Sequence, residues 1–225
     1  MSPRPIVDEA IRKGIDLIAI ADHNTAAMTS AVAQAAKERG LAFLFGMELQ
    51  TREEVHLLAY FDTEDACRSF SDEVYGFLPD KENVPEYFGD QVIVDVDETI
   101  LGTEPKLLLN SLDLSFEEAV ERILAHGGLA VPAHVDRATF GLIAQLGFAP
   151  EGVDFALVEA VGGVLPGSFG GAALLCTSDA HDLAQIGRRT TTFWVESPTL
   201  RELVQAAEGI GGRSMVCSMT ERRLV

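Results

Sequence analysis

The chain has 225 residues, 47% hydrophobic and 23% charged, enough for one domain with a full core. Lys and Arg number 17 against 35 Asp and Glu, a net charge of −18 that disfavours long nucleic acid as a partner. No apolar run approaches the roughly 20 residues needed to cross a bilayer, Met1-Ser2-Pro3-Arg4-Pro5 is not a signal peptide, and Cys67, Cys176 and Cys217 form no Cys-x-x-Cys. Membrane spans, a disulfide framework and a zinc–thiolate site are thereby excluded, and a cytoplasmic location is expected.

In chain order, Pro3 to Lys13 is predicted as a helix with Ser2 as cap and Gly14 as stop. A strand is expected over Asp16 to Ala21, a helix over Ala26 to Arg39, and a strand over Leu41 to Phe45. Glu48 to Glu54 is read as a turn into a third strand, Val55 to Phe61. A hairpin-like return there brings Glu48 near His56. Asp62 to Leu78 is a helix. Residues 79–106, with Pro79, Pro85, Pro105 and several acids, break the rhythm and are read as an insertion or lid carrying a small hairpin. Asp95, Asp97 and Glu98 lack the glycine and terminal glutamate of a calcium loop and are read as a solvated turn. Ser115 and Glu118 form a capping-box pattern for a helix from Leu114 to His126. Further strands are expected at Leu129–Ala133, within Val153–Val161, and at Ala172–Thr177 and Thr190–Val195. Helices are expected at Thr139–Leu146 and Leu200–Ile210. This alternation predicts a single α/β domain, 1–225, on a parallel sheet.

Four apolar runs end in metal-capable side chains. Leu17 to Ala21 ends in Asp22-His23-Asn24, Leu41 to Phe45 in Gly46-Met47-Glu48, Leu129 to Pro132 in Ala133-His134, and Ala172 to Cys176 in Thr177-Ser178-Asp179-Ala180-His181. In parallel α/β folds ligand chemistry gathers at the carboxyl ends of strands. Taken singly, each His reads as a polar cap or loop residue. Taken together, His, Glu and Asp without Cys suit manganese, zinc or iron. Such ions lower the pKa of bound water and neutralise charge in phosphoryl displacement. His126, before Gly127-Gly128, is read as a helix C-terminal residue. The glycines at 162–163 and 167–171 lack the Gly-Lys-Ser/Thr of a phosphate loop.

The ordered series Asp22-His23-Asn24, Glu48, His56-Leu57-Leu58, Ala133-His134 and Ser178-Asp179-Ala180-His181 resembles the PHP (polymerase and histidinol phosphatase) family, in particular its small stand-alone phosphoesterases. The resemblance runs from Pro3 to about Glu196. It implies a distorted (β/α)7 TIM-like barrel with up to three metal ions at the strand ends. It further implies hydrolysis of a small phosphomonoester, nucleotide or short oligonucleotide by metal-bound hydroxide. By position His23, Asp179 and His181 match ligands of one metal, and His56 and His134 match ligands of a second. Glu48 matches the bridging carboxylate. Asp22 is then an orienting group, and Arg137 a phosphate contact. The family's first strand carries His-x-His, which occurs nowhere in this sequence. The expectation is a barrel lacking that strand, with a start upstream of Met1. The alternatives are a metal-binding or regulatory domain without turnover, and an amidohydrolase-type C–N hydrolase.

Overall fold

A computed structural model describes residues 1–150 and 152–219. The chain begins with helix α1 (Pro3–Arg12), strands β1 (Leu17–Ala19) and β2 (Asp22–His23), and helix α2 (Thr29–Arg39). Ser2 stands at the α1 N-cap, but its hydroxyl makes no capping bond. Strands β3 (Ala42–Gln50) and β4 (His56–Phe61) follow, then α3 (Glu64–Tyr75). The next stretch holds α4 (Pro85–Phe88), β5 (Val92–Val94) and β6 (Ile100–Thr103). The chain continues with α5 (Phe116–Ala125), β7 (Leu129–Pro132), α6 (Leu142–Leu146), β8 (Leu157–Glu159) and β9 (Ala173–Leu175). It ends with β10 (Arg189–Trp194), α7 (Leu200–Glu208) and β11 (Ser214–Met219). The last six residues of the expected domain lie outside the described residues.

The central sheet has the order β1-β3-β4-β7, with β2 added along β3. It departs from the all-parallel expectation. β1 and β2 run parallel to β3, but β3–β4 and β4–β7 are antiparallel. The cause is local. β3 continues past Phe45 through Glu48 to Gln50, so the connection to β4 is only residues 51–55, closed by Thr51 N–H on Val55 O and Glu54 N–H on Thr51 O (both 2.9 Å). So short a connection can only join antiparallel strands. β8–β9 is a separate parallel pair and β10–β11 an antiparallel one. Among the described residues the strands do not close into a barrel: β1 and β9 each keep an unpaired edge.

Helices α3 and α5 pack one face of the sheet through Phe70, Val74, Phe116, Ala119 and Ile123 against Met47, Leu49, Leu57, Ala59 and Phe61. Helices α1 and α2 cover β1 through Val7, Ala10, Val32 and Ala36. The opposite sheet face holds Leu44, Leu58, Val131, Leu157 and Leu175, the inward set of successive strands. The capping box of α5 forms as patterned, with Ser115 Oγ accepting from Glu118 N–H at 3.2 Å and Glu118 Oε2 from Ser115 N–H at 2.8 Å. At the β5–β6 turn Asp95 Oδ1 accepts from Asp97 N–H (2.9 Å) and Thr99 N–H (2.8 Å), an Asx-type turn.

Gly46 is needed where β3 meets β4. A Cβ there would lie 2.9 Å from the Tyr60 ring and 3.0 Å from Ile20 O. Gly46→Ala is expected to destabilise the fold by about 1–3 kcal/mol, the cost of overpacking a tight contact. The shift of the urea midpoint measures it, and an unchanged midpoint contradicts this packing.

Candidate metal centre

β3 sets the site. Its alternation sends Met47 and Leu49 into the helix-covered core and Glu48 and Gln50 to the other face. β2 lies parallel beside it with His23 opposite Glu48, and β4 returns with His56 opposite Gln50. His134 follows the end of β7, where Ala133 N–H bonds to His56 O at 3.1 Å. Three elements of the sheet and one strand end thus deliver His23, Glu48, His56 and His134 to one point.

The geometry is tight. Glu48 Oε1 lies 3.2 Å from His56 Nδ1 and 3.3 Å from His134 Nε2, and these two nitrogens are 3.1 Å apart. The other oxygen, Oε2, lies 3.4 Å from His23 Nδ1. Ligand atoms at about 2.0–2.1 Å from a shared ion stand about 3.0–3.4 Å from one another, so the Glu48–His56–His134 triangle has the dimensions of a coordination face. His23, Glu48 and His56 also form a group with the separations of a metal site. The buried nitrogen His23 Nδ1 has no hydrogen-bond partner among the described residues. An imidazole nitrogen aimed at a carboxylate without a bond is what an ion between them satisfies. The residues therefore fit a divalent cation.

Neighbouring groups orient these side chains. His56 Nε2 meets Gln50 Oε1 at 3.3 Å, and Gln50 Nε2 donates to Ser111 Oγ at 2.9 Å. The Ser111 bond aims the Gln50 oxygen at His56, so the network assigns the His56 proton to Nε2 and leaves the Nδ1 lone pair facing Glu48. The His56 ring stacks on Phe140 at 4.5 Å, and the His56 backbone N–H donates to Phe140 O (3.0 Å). Asn24 binds Gln50 N–H through Oδ1 (3.0 Å) and donates Nδ2 to Leu108 O (2.8 Å) and Asn110 O (2.9 Å). It takes a left-handed φ of 52° to do so.

Burial alone pushes the Glu48 carboxyl up, but the imidazoles of His134, His56 and His23 around it outweigh burial and hold the group well below the usual carboxylate range. Burial lowers the proton affinity of His23, against the pull of Glu48.

Asp22, Asp179 and His181 line the same cavity as His23 and Glu48 but are not members of the Glu48–His56–His134 triangle. Asp179 is held by Arg137 and faces Arg188 at 3.8 Å, so its carboxylate is already paired. His181 is mostly exposed, with Nδ1 3.2 Å from Asp179 O. Asp22 makes no side-chain hydrogen bond among the described residues; burial pushes its carboxyl above the ordinary range. Arg137 makes its contact with Asp179. His126 caps α5 as expected, with Nδ1 near Arg122 O and Nε2 3.3 Å from Glu73. Sequence reasoning missed Gln50, which carries no recognisable spacing, and Glu159. The latter ends the apolar run Phe155-Ala156-Leu157-Val158, the same pattern that marked the other candidates. It is 2% exposed beside His134.

No family model matches the sequence, and no curated protein matches it. Solved structures do. The lesion-specific endonuclease PfuEndoQ from Pyrococcus furiosus superposes with a TM-score of 0.71 at 20% identity, over 100% of this chain and 56% of its own. Endonuclease Q in complex with a 27-mer duplex bearing an abasic lesion gives 0.69 at 20% identity, over 95% and 53%. A two-domain protein from Bacteroides vulgatus containing a predicted PHP-like metal-dependent phosphoesterase gives 0.54 at 16% identity, over 96% and 60%. The chain has the fold of a PHP-type domain. It spans little more than half the length of each of these structures. The complex also corrects the exclusion of long nucleic acid drawn from net charge: a protein of this fold is solved on duplex DNA. A charge total does not report the local field at a site, where Arg137 and Arg188 are present. Among the described residues no helix is long and apolar enough to cross a membrane.

Because His23 binds its proton less tightly than its ordinary value of 6.5, its contribution to stability is full above about pH 6.5 and is lost as pH falls through the depressed folded value. Metal-free protein is expected to lose urea midpoint between about pH 7.5 and about pH 5.5, and His23→Gln to flatten the loss. A midpoint that is level across this range in the parent protein contradicts the assignment.

Proposed function

We propose that the chain is a metal-dependent phosphoester hydrolase acting on a phosphodiester in nucleic acid. The observation that carries this is the triangle of Glu48 Oε1, His56 Nδ1 and His134 Nε2, with sides of 3.1–3.3 Å. Glu48, His56 and His134 hold one cation, and Glu48 Oε2 with His23 offers the start of a second site. A bound divalent cation supplies Lewis acidity toward a phosphoryl oxygen and acidifies water. The chain's own residues do the rest. Gln50 keeps the His56 Nδ1 lone pair available, and Arg137 and Arg188 at the rim bind and orient the phosphate. The substrate class is supported by the duplex-bound structure of the same fold.

The finer reading of the fold is a distorted (β/α)7 barrel with its first strand position open. Its support is a cavity of about 870 Å³ lined by Leu17, Ala19, Leu175 and Thr191, between the free edges of β1 and β9. A second reading, a metal-binding domain without turnover, is favoured by one observation: the Arg137 pair occupies Asp179, which limits the second metal.

Manganese content by elemental analysis and cleavage of a labelled duplex carrying an abasic site test the proposal together. The expected result is at least one bound ion and manganese-dependent cleavage. His134→Ala should weaken metal binding by about tenfold or more and remove cleavage with it. Metal binding without cleavage of any phosphoester supports the second reading, and metal content unchanged in His134→Ala overturns the placement of the ion.

A further inference from the structure

A line of buried polar contacts crosses four strands behind the metal centre. Arg189, at the start of β10, donates Nε to Thr177 O at 2.9 Å. Thr177, past the end of β9, donates its hydroxyl to Glu159 Oε1. Glu159, the last residue of β8, accepts His134 N–H on Oε2 at 3.0 Å and takes Val135 N–H on its backbone oxygen at 2.9 Å. Arg189 Nη2 lies 3.9 Å from Glu159 Oε1. Arg189, Glu159 and His134 are 8%, 2% and 1% exposed.

The line ends on a residue that needs holding. His134 has a φ of 30°, a left-handed conformation that a non-glycine residue keeps only when its surroundings enforce it. Its Nδ1 has no partner among the described residues. The common device for aiming a ligating imidazole, a bond from its second nitrogen, is therefore not used. The backbone is gripped instead, through N–H of His134 and N–H of Val135, both by Glu159. Glu159 Oε2 and Oε1 accept from His134 N–H and the Thr177 hydroxyl respectively, which ties the carboxylate to the chain on both oxygens.

We propose that Glu159 is a positioning residue of the metal centre, clamping the His134 backbone so that Nε2 faces Glu48 and His56, with Thr177 and Arg189 holding the clamp. The inference rests on the metal-binding reading above and adds a residue that acts on it from a different strand pair. β8 and β9 are joined to the central sheet at this clamp, so the aim of His134 is set by how the two pieces of sheet meet.

The test is titration calorimetry of Mn²⁺ into the full chain, freed of metal, for the parent, E159A, E159Q and E159D, each held below its melting temperature. E159A is expected to weaken Mn²⁺ affinity by about 10- to 100-fold, the range for loss of a group that orients a ligand. E159Q keeps an amide oxygen for His134 N–H and is expected to stay within about threefold of the parent. A role confined to joining the sheets lowers the E159A melting temperature but leaves the affinity of the folded molecules at the parental value, and that result overturns the proposal. If E159A does not fold, E159D serves. Its carboxylate is one methylene short of His134 N–H, so a comparable loss is expected, and parental affinity in E159D overturns the proposal. A parent chain that binds no Mn²⁺ overturns the metal reading itself, and the clamp with it.

Discussion

The energetics of this protein turn on one carboxylate. Glu48 is 8% exposed and surrounded by imidazoles rather than by water. Removing an ionised carboxylate from water is costly unless other groups replace the lost hydration. Here His56 and His134 face one oxygen and His23 faces the other. The four side chains are mutually dependent. Removing an imidazole leaves the carboxylate short of a partner, and removing the carboxylate leaves His56 Nδ1 and His134 Nε2 crowded together at 3.1 Å. A cation at the centre of such a set relieves both problems, which is why the chemistry of the donors and the electrostatics of the fold point the same way.

The fold answers that need through a hairpin. β3 is long enough to serve both the core and the site, one on each face. The tight turn after Gln50 brings β4 back in the register that sets His56 beside Gln50 and near Glu48. The parallel addition of β2 supplies His23 without a further connection across the site. His134 is the exception. It lies beyond the regular part of β7, in a strained backbone conformation, and depends on side chains from β8 and beyond. Three of the four groups are placed by strand pairing and one by a polar clamp.

This division accounts for what the sequence revealed. Apolar runs ending in Asp22-His23, Glu48 and His134 were legible because burial pattern and residue chemistry change at the same positions. The approach of Glu48 to His56 across a hairpin followed from their spacing, although the turn was placed too early. Its polar residues Glu48 and Gln50 looked like loop residues, when they are the inward face of a continuing strand. The antiparallel ladders were hidden for the same reason. Strand β11 was not anticipated because Ser214 to Met219 is short and mixes small, polar and apolar groups without a clean two-residue period. Asp179 and His181 carried the right chemistry and the right order. Their position depends on Arg137, a contact across 42 residues that no local pattern encodes.

Asn24 ties the segment after the β5–β6 hairpin to the centre of the molecule. One side chain bonds to β3 and to two carbonyls at Leu108 and Asn110, and its own N–H bonds to Glu48 O at 2.8 Å. Residues 108–110 are thus fastened to the same strand that carries the carboxylate. The hairpin tip is fastened to a different part of the molecule: Val96 is buried against α1 and α2, and Arg4 of α1 donates to Asp97 Oδ1 at 2.9 Å. The excursion is thus pinned at two places to two different layers, so opening of its tip is coupled to the α1–α2 layer and opening of its returning limb to the sheet.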